Sequence, residues 1–285
     1  MEIRTLLVPL GSAAADRIAL GDALAVARRL NAHVRAVLVD PSQAPHSLRY
    51  GQAGEGFMTD AMLASLRGVA QQYRDAGRAL TEEMAAAAGV PLRDVPDMEG
   101  PSVSWGILKG DAVGAVVGEA AVHDLVVLPA PSGQPGGGAS ADVDGVLLAT
   151  GRPTLFATGT GAACATALVG WNCSPQAGRA LSRALPLLRE ASRVHLLQIE
   201  TGSKAGPDVD RAALYLASHG ISAETHRVPG ASASVGELLL QHADDLRADL
   251  LVMGAYSHNR LRELLLGGVT RHVLAHARVP TLMVH

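Results

Sequence analysis

The sequence predicts an α/β protein: two copies of a doubly wound, five-stranded parallel-sheet domain, packed as an intrachain pseudo-dimer. Three observations predict it. Short apolar runs alternate with longer helical patterns, the alternation occurs twice, and segments of the two halves align with each other. Continuous apolar runs suit strands buried on both faces of a parallel sheet, and alternating helices supply right-handed crossovers.

The runs of the first half are Ile3–Leu10, Val34–Val39, a weak one near Leu92–Met98, Leu125–Leu128 and Thr154–Ala157. Those of the second are Thr166–Trp171, Val194–Ile199, Ala223–Val228, Leu250–Met253 and Val279–Val284. Each is bounded by Gly, Pro or Asp, and many are β-branched. Helical periodicity marks Ala13–Leu30, Met58–Ala88, Pro175–Glu190 and Leu261–Ala275. Ser174 before Pro175 is a favoured helix start. Pro186 is expected to kink or shorten its helix.

The repeat is visible residue by residue. TLLVPLGS from Thr5 pairs with TALVGWNC from Thr166, HDLVVLPA from His123 with ADLLVMGA from Ala248, and GRPTLFA from Gly151 with RVPTLMV from Arg278. The unit is too long for a solenoid repeat, so it reads as a duplication. Domains are expected at 1–158 and 164–285, joined by the small-residue linker Thr158–Ala163, read as flexible. The first copy is longer, mostly within Pro41–Val90, where Tyr50–Phe57 is a Gly-rich loop.

A length of 285 residues fits about two domains. Aromatics are only 3% of a chain that is 48% hydrophobic, so the core must be Ala, Val and Leu. A net charge of −3 argues against nucleic acid or an anionic membrane as the main partner. Two cysteines, Cys164 and Cys173, are too few for a disulfide framework. No apolar run approaches the roughly 18 residues of a membrane span, and MEIRTLLVPLGS does not read as a signal peptide. The expectation is a cytoplasmic protein.

Chemistry concentrates after the run Leu250–Met253. Gly254-Ala255-Tyr256-Ser257 is followed by a basic stretch and then Gly267-Gly268-Val269-Thr270. A strand that enters a small-residue loop and a helix start makes an anion site, because backbone N–H groups and the helix dipole favour negative charge. Gly254 would let the backbone approach a ligand; ordinary packing glycines read equally well.

These residues resemble the signature end of the universal stress protein family: Gly, two residues, Gly, nine residues, Gly, then Ser or Thr, before a helix and a final strand carrying Pro. The final ARVPTLMV is similar to the family's usual ending, and tandem members are a common form. The resemblance implies an adenine nucleotide alpha hydrolase-like fold and an ATP or AMP pocket formed by Gly170, Trp171, Asn172, Ile199, Met253, Gly254, Ser257, Gly267, Gly268, Val269 and Thr270. It also implies pairing of the last strands, here Thr154–Ala157 with Leu282–Val284, with a further homodimer of chains open.

The chain departs from the pattern at three places. Ser257 replaces the second glycine, Gly268 replaces the phosphate-binding hydroxyl, and Asn172 stands where an acidic residue binds ribose in nucleotide-binding members. Asn still hydrogen-bonds but carries no charge. The first copy departs further. Leu10 occupies the ribose position, and Pro129 and Pro131 lack the N–H donors a phosphate loop needs. Gly133 and Gly136–Gly138 are not at family spacing and read better as a mobile loop. The first copy is expected not to bind nucleotide.

Other candidates are weaker. His272 and His276 have helical metal-ligand spacing, but a helix face suits them better. Cys173 precedes a helix and is either a reactive thiol or an apolar filler. Arg260, Arg262 and Arg271 are either phosphate contacts or solvated residues, and Trp171 either stacks on a base or plugs the sheet end. No metal is expected beyond nucleotide-associated Mg, and no nucleophile elbow, P-loop or paired-carboxylate signature occurs. The leading expectation is a stress-linked regulatory protein that binds an adenine nucleotide through its second copy, by ordering Ala255–Leu266. A structural or interaction module without nucleotide is the alternative, and a very slow ATPase the third.

Overall fold

The computed structural model describes residues 2–11, 13–40, 60–96, 99–131, 143–161, 164–200, 208–230, 234–256 and 268–285. Its centre is one ten-stranded sheet. The first half contributes β1 (Thr5–Leu10), β2 (His33–Asp40), β3 (Ser102–Lys109), β4 (Leu125–Pro129) and β5 (Thr154–Ala157). The second contributes β6 (Thr166–Trp171), β7 (Arg193–Glu200), β8 (Glu224–Pro229), β9 (Leu250–Gly254) and β10 (Thr281–Val284). The strand order is β3-β2-β1-β4-β5-β10-β9-β6-β7-β8. Each half therefore has the same doubly wound order, and the halves meet where β5 and β10 pair antiparallel, Leu155 opposite Leu282. The expected pairing of the last strands occurs within one chain.

Two helical layers cover the sheet. α1 (Ala13–Leu30), α2 (Asp60–Ala88), α5 (Pro175–Glu190) and α6 (Val209–Ser218) send Leu20, Leu24, Leu80, Leu181, Leu188 and Leu216 into one core. α3 (Ala112–Ala120), α4 (Val143–Ala149), α7 (Val235–Asp245) and α8 (Gly268–His276) send Val116, Leu147, Leu239 and Val273 into the other. Side chains alternate along each strand, so Val252 faces the first core and Met253 the second. Among the described residues no helix is long and apolar enough to cross a membrane.

The duplication extends to the hydrogen bonds. The Asp124 carboxylate accepts from the backbone N–H groups of Arg4 and Thr5 at 2.9 and 3.0 Å. Asp249 accepts from Ala165 and Thr166, both at 2.9 Å. Each aspartate thus fastens the amino end of the central strand of its half to the neighbouring strand. Charge-assisted bonds of this kind are among the stronger ones in proteins.

The structure corrects several sequence expectations. The third strand is Ser102–Lys109, not Leu92–Met98; Leu92 forms only an isolated bridge to Val103. Ser102 and Ser104 interrupt the apolar pattern because both are buried against the His33 ring, at 2.8 Å from its two nitrogens. α5 continues through Pro186 to Glu190, with Pro186 buried in the helix's apolar face. Packing of that face offsets the one backbone bond proline removes. The linker is not slack over its described part. Asp22, 1% exposed on α1, accepts from the N–H groups of Thr158, Gly159 and Gly161 at 3.0, 3.1 and 2.8 Å. The Gly-rich loops at Tyr50–Phe57 and Gly133–Gly138 lie outside the described residues. The final helical pattern, expected over Leu261–Ala275, is described only from Gly268.

Candidate functional site

In the second half the helical crossovers leave the sheet in opposite directions between β6 and β9. That divergence opens a crevice at the carboxyl ends of the strands, the usual ligand position in open α/β sheets. Gly170 of β6 lies opposite Met253 of β9 and Leu197 of β7. Gly170, Ile199 and Met253 are on the same face of the sheet as α7 and α8. Met253 belongs to the core on that face, and Ile199, Tyr256 and Val269 pack against it. These apolar side chains therefore share one face of the sheet.

Trp171 is not part of that face. It is 7% exposed and belongs to the opposite core, under α5 and α6. The alternation of the strand sends it there, so it plugs the sheet end. Asn172 follows at the crevice, but its Oδ1 accepts from the Ser174 N–H at 3.2 Å and from the Ser174 hydroxyl at 2.6 Å. Ser174 in turn caps α5, accepting from the Ala177 N–H at 3.1 Å. The intervening Cys173 has φ 60°, which turns the chain from β6 into the helix. Cys173 is half-buried against the core, in keeping with a filler. Cys164 is buried, and burial pushes its thiol up to about 12, so it stays protonated at neutral pH.

Gly254 has a packing reason that the sequence left undecided. A Cβ there would stand 2.6 Å from the Ala177 nitrogen and from the Gln176 carbonyl carbon. The first turn of α5 needs that space, and no ligand is required to explain the glycine. Beyond it, the Ala255 N–H donates to the Val284 carbonyl at 2.8 Å. The Tyr256 N–H approaches the Thr270 hydroxyl at 3.4 Å, with Tyr256 at φ 54°. These contacts bring the end of β9 against the start of α8. Ser257, Gly267, Arg260 and Arg262 lie outside the described residues.

At the start of α8 a Cβ on Gly268 would meet none of the described residues within 4 Å, whereas Thr270 is buried at 3% exposure. The first N–H groups of a helix have no acceptor within it, and the dipole makes that end attractive to anions. Arg271 is exposed beside it. Thus the structure gathers Gly170, Asn172, Ile199, Met253, Gly254, Val269 and Thr270 around the crevice, with Gly268 at its helical edge. His272 and His276 stack with ring centroids 4.4 Å apart, and His276 Nδ1 is 2.8 Å from the His272 carbonyl oxygen. His272 also lies over Gly236 of α7, so the pair belongs to helix packing.

The corresponding place in the first half keeps the scaffold. The Ala130 N–H donates to the Ala157 carbonyl at 2.8 Å, as Ala255 does to Val284. Leu10, expected at the ribose position, ends β1 as Trp171 ends β6 and is buried in the same core; Gly11 holds the place of Asn172, and its N–H donates to Asp16 at 2.9 Å. Pro129 ends β4 where Gly254 ends β9.

Comparison with known proteins agrees with this architecture. Residues 165–285 match the model of the Universal stress protein family. A universal stress protein from Archaeoglobus fulgidus DSM 4304 superposes with TM-score 0.69 at 16% identity, covering 99% of this chain and 96% of that one. A functionally unknown protein from Pseudomonas aeruginosa PAO1 gives TM-score 0.58 at 16% identity, over 99% and 92% of the two chains. A putative universal stress protein from Pseudomonas aeruginosa UCBPP-PA14 gives 0.54 at 17%, over 99% and 93%. At these identities the likeness concerns the fold. No curated protein matches the sequence.

Proposed function

We propose, for a chain that belongs to the universal stress protein family through residues 165–285, that its second half binds an adenine nucleotide and the first half does not. The observation that carries the reading is the convergence of the β6 and β9 ends with the N-terminus of α8. Ile199, Met253 and Val269 supply apolar surface for a base. Asn172 supplies amide hydrogen-bonding capacity at the ribose position, and the α8 N-terminus attracts phosphate. ATP and AMP are the expected ligands, with Mg accompanying a polyphosphate. No acid or base among the gathered side chains is placed to activate water, so the output is regulatory: a ligand-dependent change in the surface around α8. The cytoplasm, as the reducing compartment with nucleotide, suits two cysteines that form no disulfide.

Calorimetric titration with ATP, ADP and AMP tests this. Saturable binding to the whole chain is the expected result. Absence of heat and of any thermal shift at millimolar nucleotide overturns it. One observation favours a second reading, an interaction module without nucleotide. Asn172 Oδ1 already serves Ser174, and Gly254 serves α5. That module would bind none of the three nucleotides and fold as stably without them.

A further inference from the structure

At the other end of the second half, strands β7 and β8 bring three metal-binding side chains together. His195 lies opposite Glu224 in the strand register, and His226 is two residues further along β8. Period-two alternation puts all three on the α7 face, as it does Leu197 and Val228. His195 Nδ1 is 3.0 Å from His226 Nε2 and 3.3 Å from Glu224 Oε2. All three ligand atoms lie within 4.8 Å of one another. Two donors bound tetrahedrally to zinc at about 2.0–2.1 Å stand about 3.3 Å apart. The two spacings from His195 need shifts of only a few tenths of an ångström, and the exposed Glu224 side chain can turn to bring its carboxylate, within 4.8 Å of His226, into place.

We propose that His195, Glu224 and His226 form a binding site for one divalent transition-metal cation of the zinc class, joining edge strand β8 to β7. This departs from the sequence expectation of no metal apart from nucleotide-associated Mg, and it does not depend on nucleotide binding.

The arrangement lacks protons to satisfy itself. With both imidazoles neutral, a single N–H can lie between the two ring nitrogens. The Glu224 carboxylate, an acceptor only, faces the same His195 nitrogen. A cation satisfies all three lone pairs at once. His195 is 5% exposed, and its Nε2 has no hydrogen-bond partner among the described residues. Burial lowers its pKa, foremost by desolvation, with His226 adding to the effect and Glu224 opposing it. Two imidazoles and one carboxylate suit Zn2+ or Co2+, with a position left for water because Glu224 is exposed.

The first half shows what the same place looks like without metal ligands. There Arg35 takes the position of His195, its guanidinium lying over Gly106 where His226 stands in the second half. Glu119 of α3 closes an ion pair with Arg35 at 3.0 Å. Counting from the N-caps Asp111 and Ser234, His242 of α7 occupies the position of Glu119. Its Nδ1 is 2.7 Å from the Leu238 carbonyl oxygen, which leaves Nε2 for a ligand or a water. One half thus holds an arginine–carboxylate pair where the other gathers imidazoles.

The test is a Zn2+ titration of the full, tag-free chain by calorimetry, with Co2+ absorption reporting tetrahedral geometry. His226→Ala and Glu224→Gln alter only side chains at the accessible edge strand, and His195 is left in place to protect the core. The expected result is one equivalent of metal per chain. Each variant should weaken it tenfold or more and lose the intense visible Co2+ bands. His272→Ala with His276→Ala should leave binding unchanged. Absence of stoichiometric binding overturns the proposal, as does binding that survives His226→Ala and Glu224→Gln.

Discussion

The two halves share a strand order and an aspartate clasp, yet their crevices differ. After β1 comes Gly11, whose N–H donates to Asp16; after β6 come Asn172 and a capped helix. β4 ends in Pro129, which carries the side chain that Gly254 of β9 cannot, because α5 approaches β9 at backbone distance. The difference teaches that duplication preserved what builds the sheet, the Asp124 and Asp249 clasps and the Ala130 and Ala255 bonds. The residues lining the strand ends were free to diverge.

The largest expected effect breaks the symmetry at the linker. Asp22 gathers three backbone donors from Thr158–Gly161. Asp22→Ala should cost about 3 kcal/mol of stability in urea unfolding, because several donors lose a charged acceptor inside the fold. A loss below about 0.5 kcal/mol would mean that the linker does not need this anchor.

Next comes the strand-end glycine. Gly254→Ala places a methyl 2.6 Å from the α5 backbone and should destabilise by about 2 kcal/mol, whether or not nucleotide is present. Pro129→Ala, at the matching place of the first half, should cost less. Equal losses would contradict the closer helix approach in the second half.

A pH experiment separates the halves again. His33 is buried between Ser102 and Ser104, and burial holds its pKa near 4 from an ordinary 6.5. The unfolded chain then binds the proton more readily than the folded one. This contribution to stability is complete above about pH 6.5 and falls away as pH drops toward 4. His33→Gln should flatten that part of the stability profile; an unchanged slope would assign it elsewhere. Arg193 stands at the start of β7 as His33 does at the start of β2, so the second half has no such contribution at this place.

The smallest effects sharpen the ligand reading. Gly268→Ala should change stability by under about 0.5 kcal/mol, since a methyl there meets none of the described residues within 4 Å. Thr270→Val should weaken ATP about five- to tenfold, about 1 kcal/mol, by removing the hydroxyl that receives the Tyr256 N–H. Unaltered ATP affinity in Thr270→Val would separate the α8 start from the ligand.

Much of this fold was legible in the sequence, since β1, β2, β4 and β5 and their counterparts are continuous apolar runs. β3 was not, because its buried serines satisfy a histidine that only the folded sheet brings near. The crevice was partly legible. Loop spacing and helix start point to it, but periodicity in a short strand did not fix which face Trp171 takes. Nor does sequence reveal that Gly254 answers to the α5 backbone. The trio of His195, Glu224 and His226 left only a faint trace, Glu224 and His226 two apart on an expected strand. The strand register that supplies His195 is set by tertiary packing.

Amide hydrogen exchange with and without saturating ATP compares the two crevices in one measurement. The expected result is added protection at residues 170–174, 253–256 and 268–272, and none at residues 8–16 or 126–131. Equal protection of both halves, or none in the second, would contradict it.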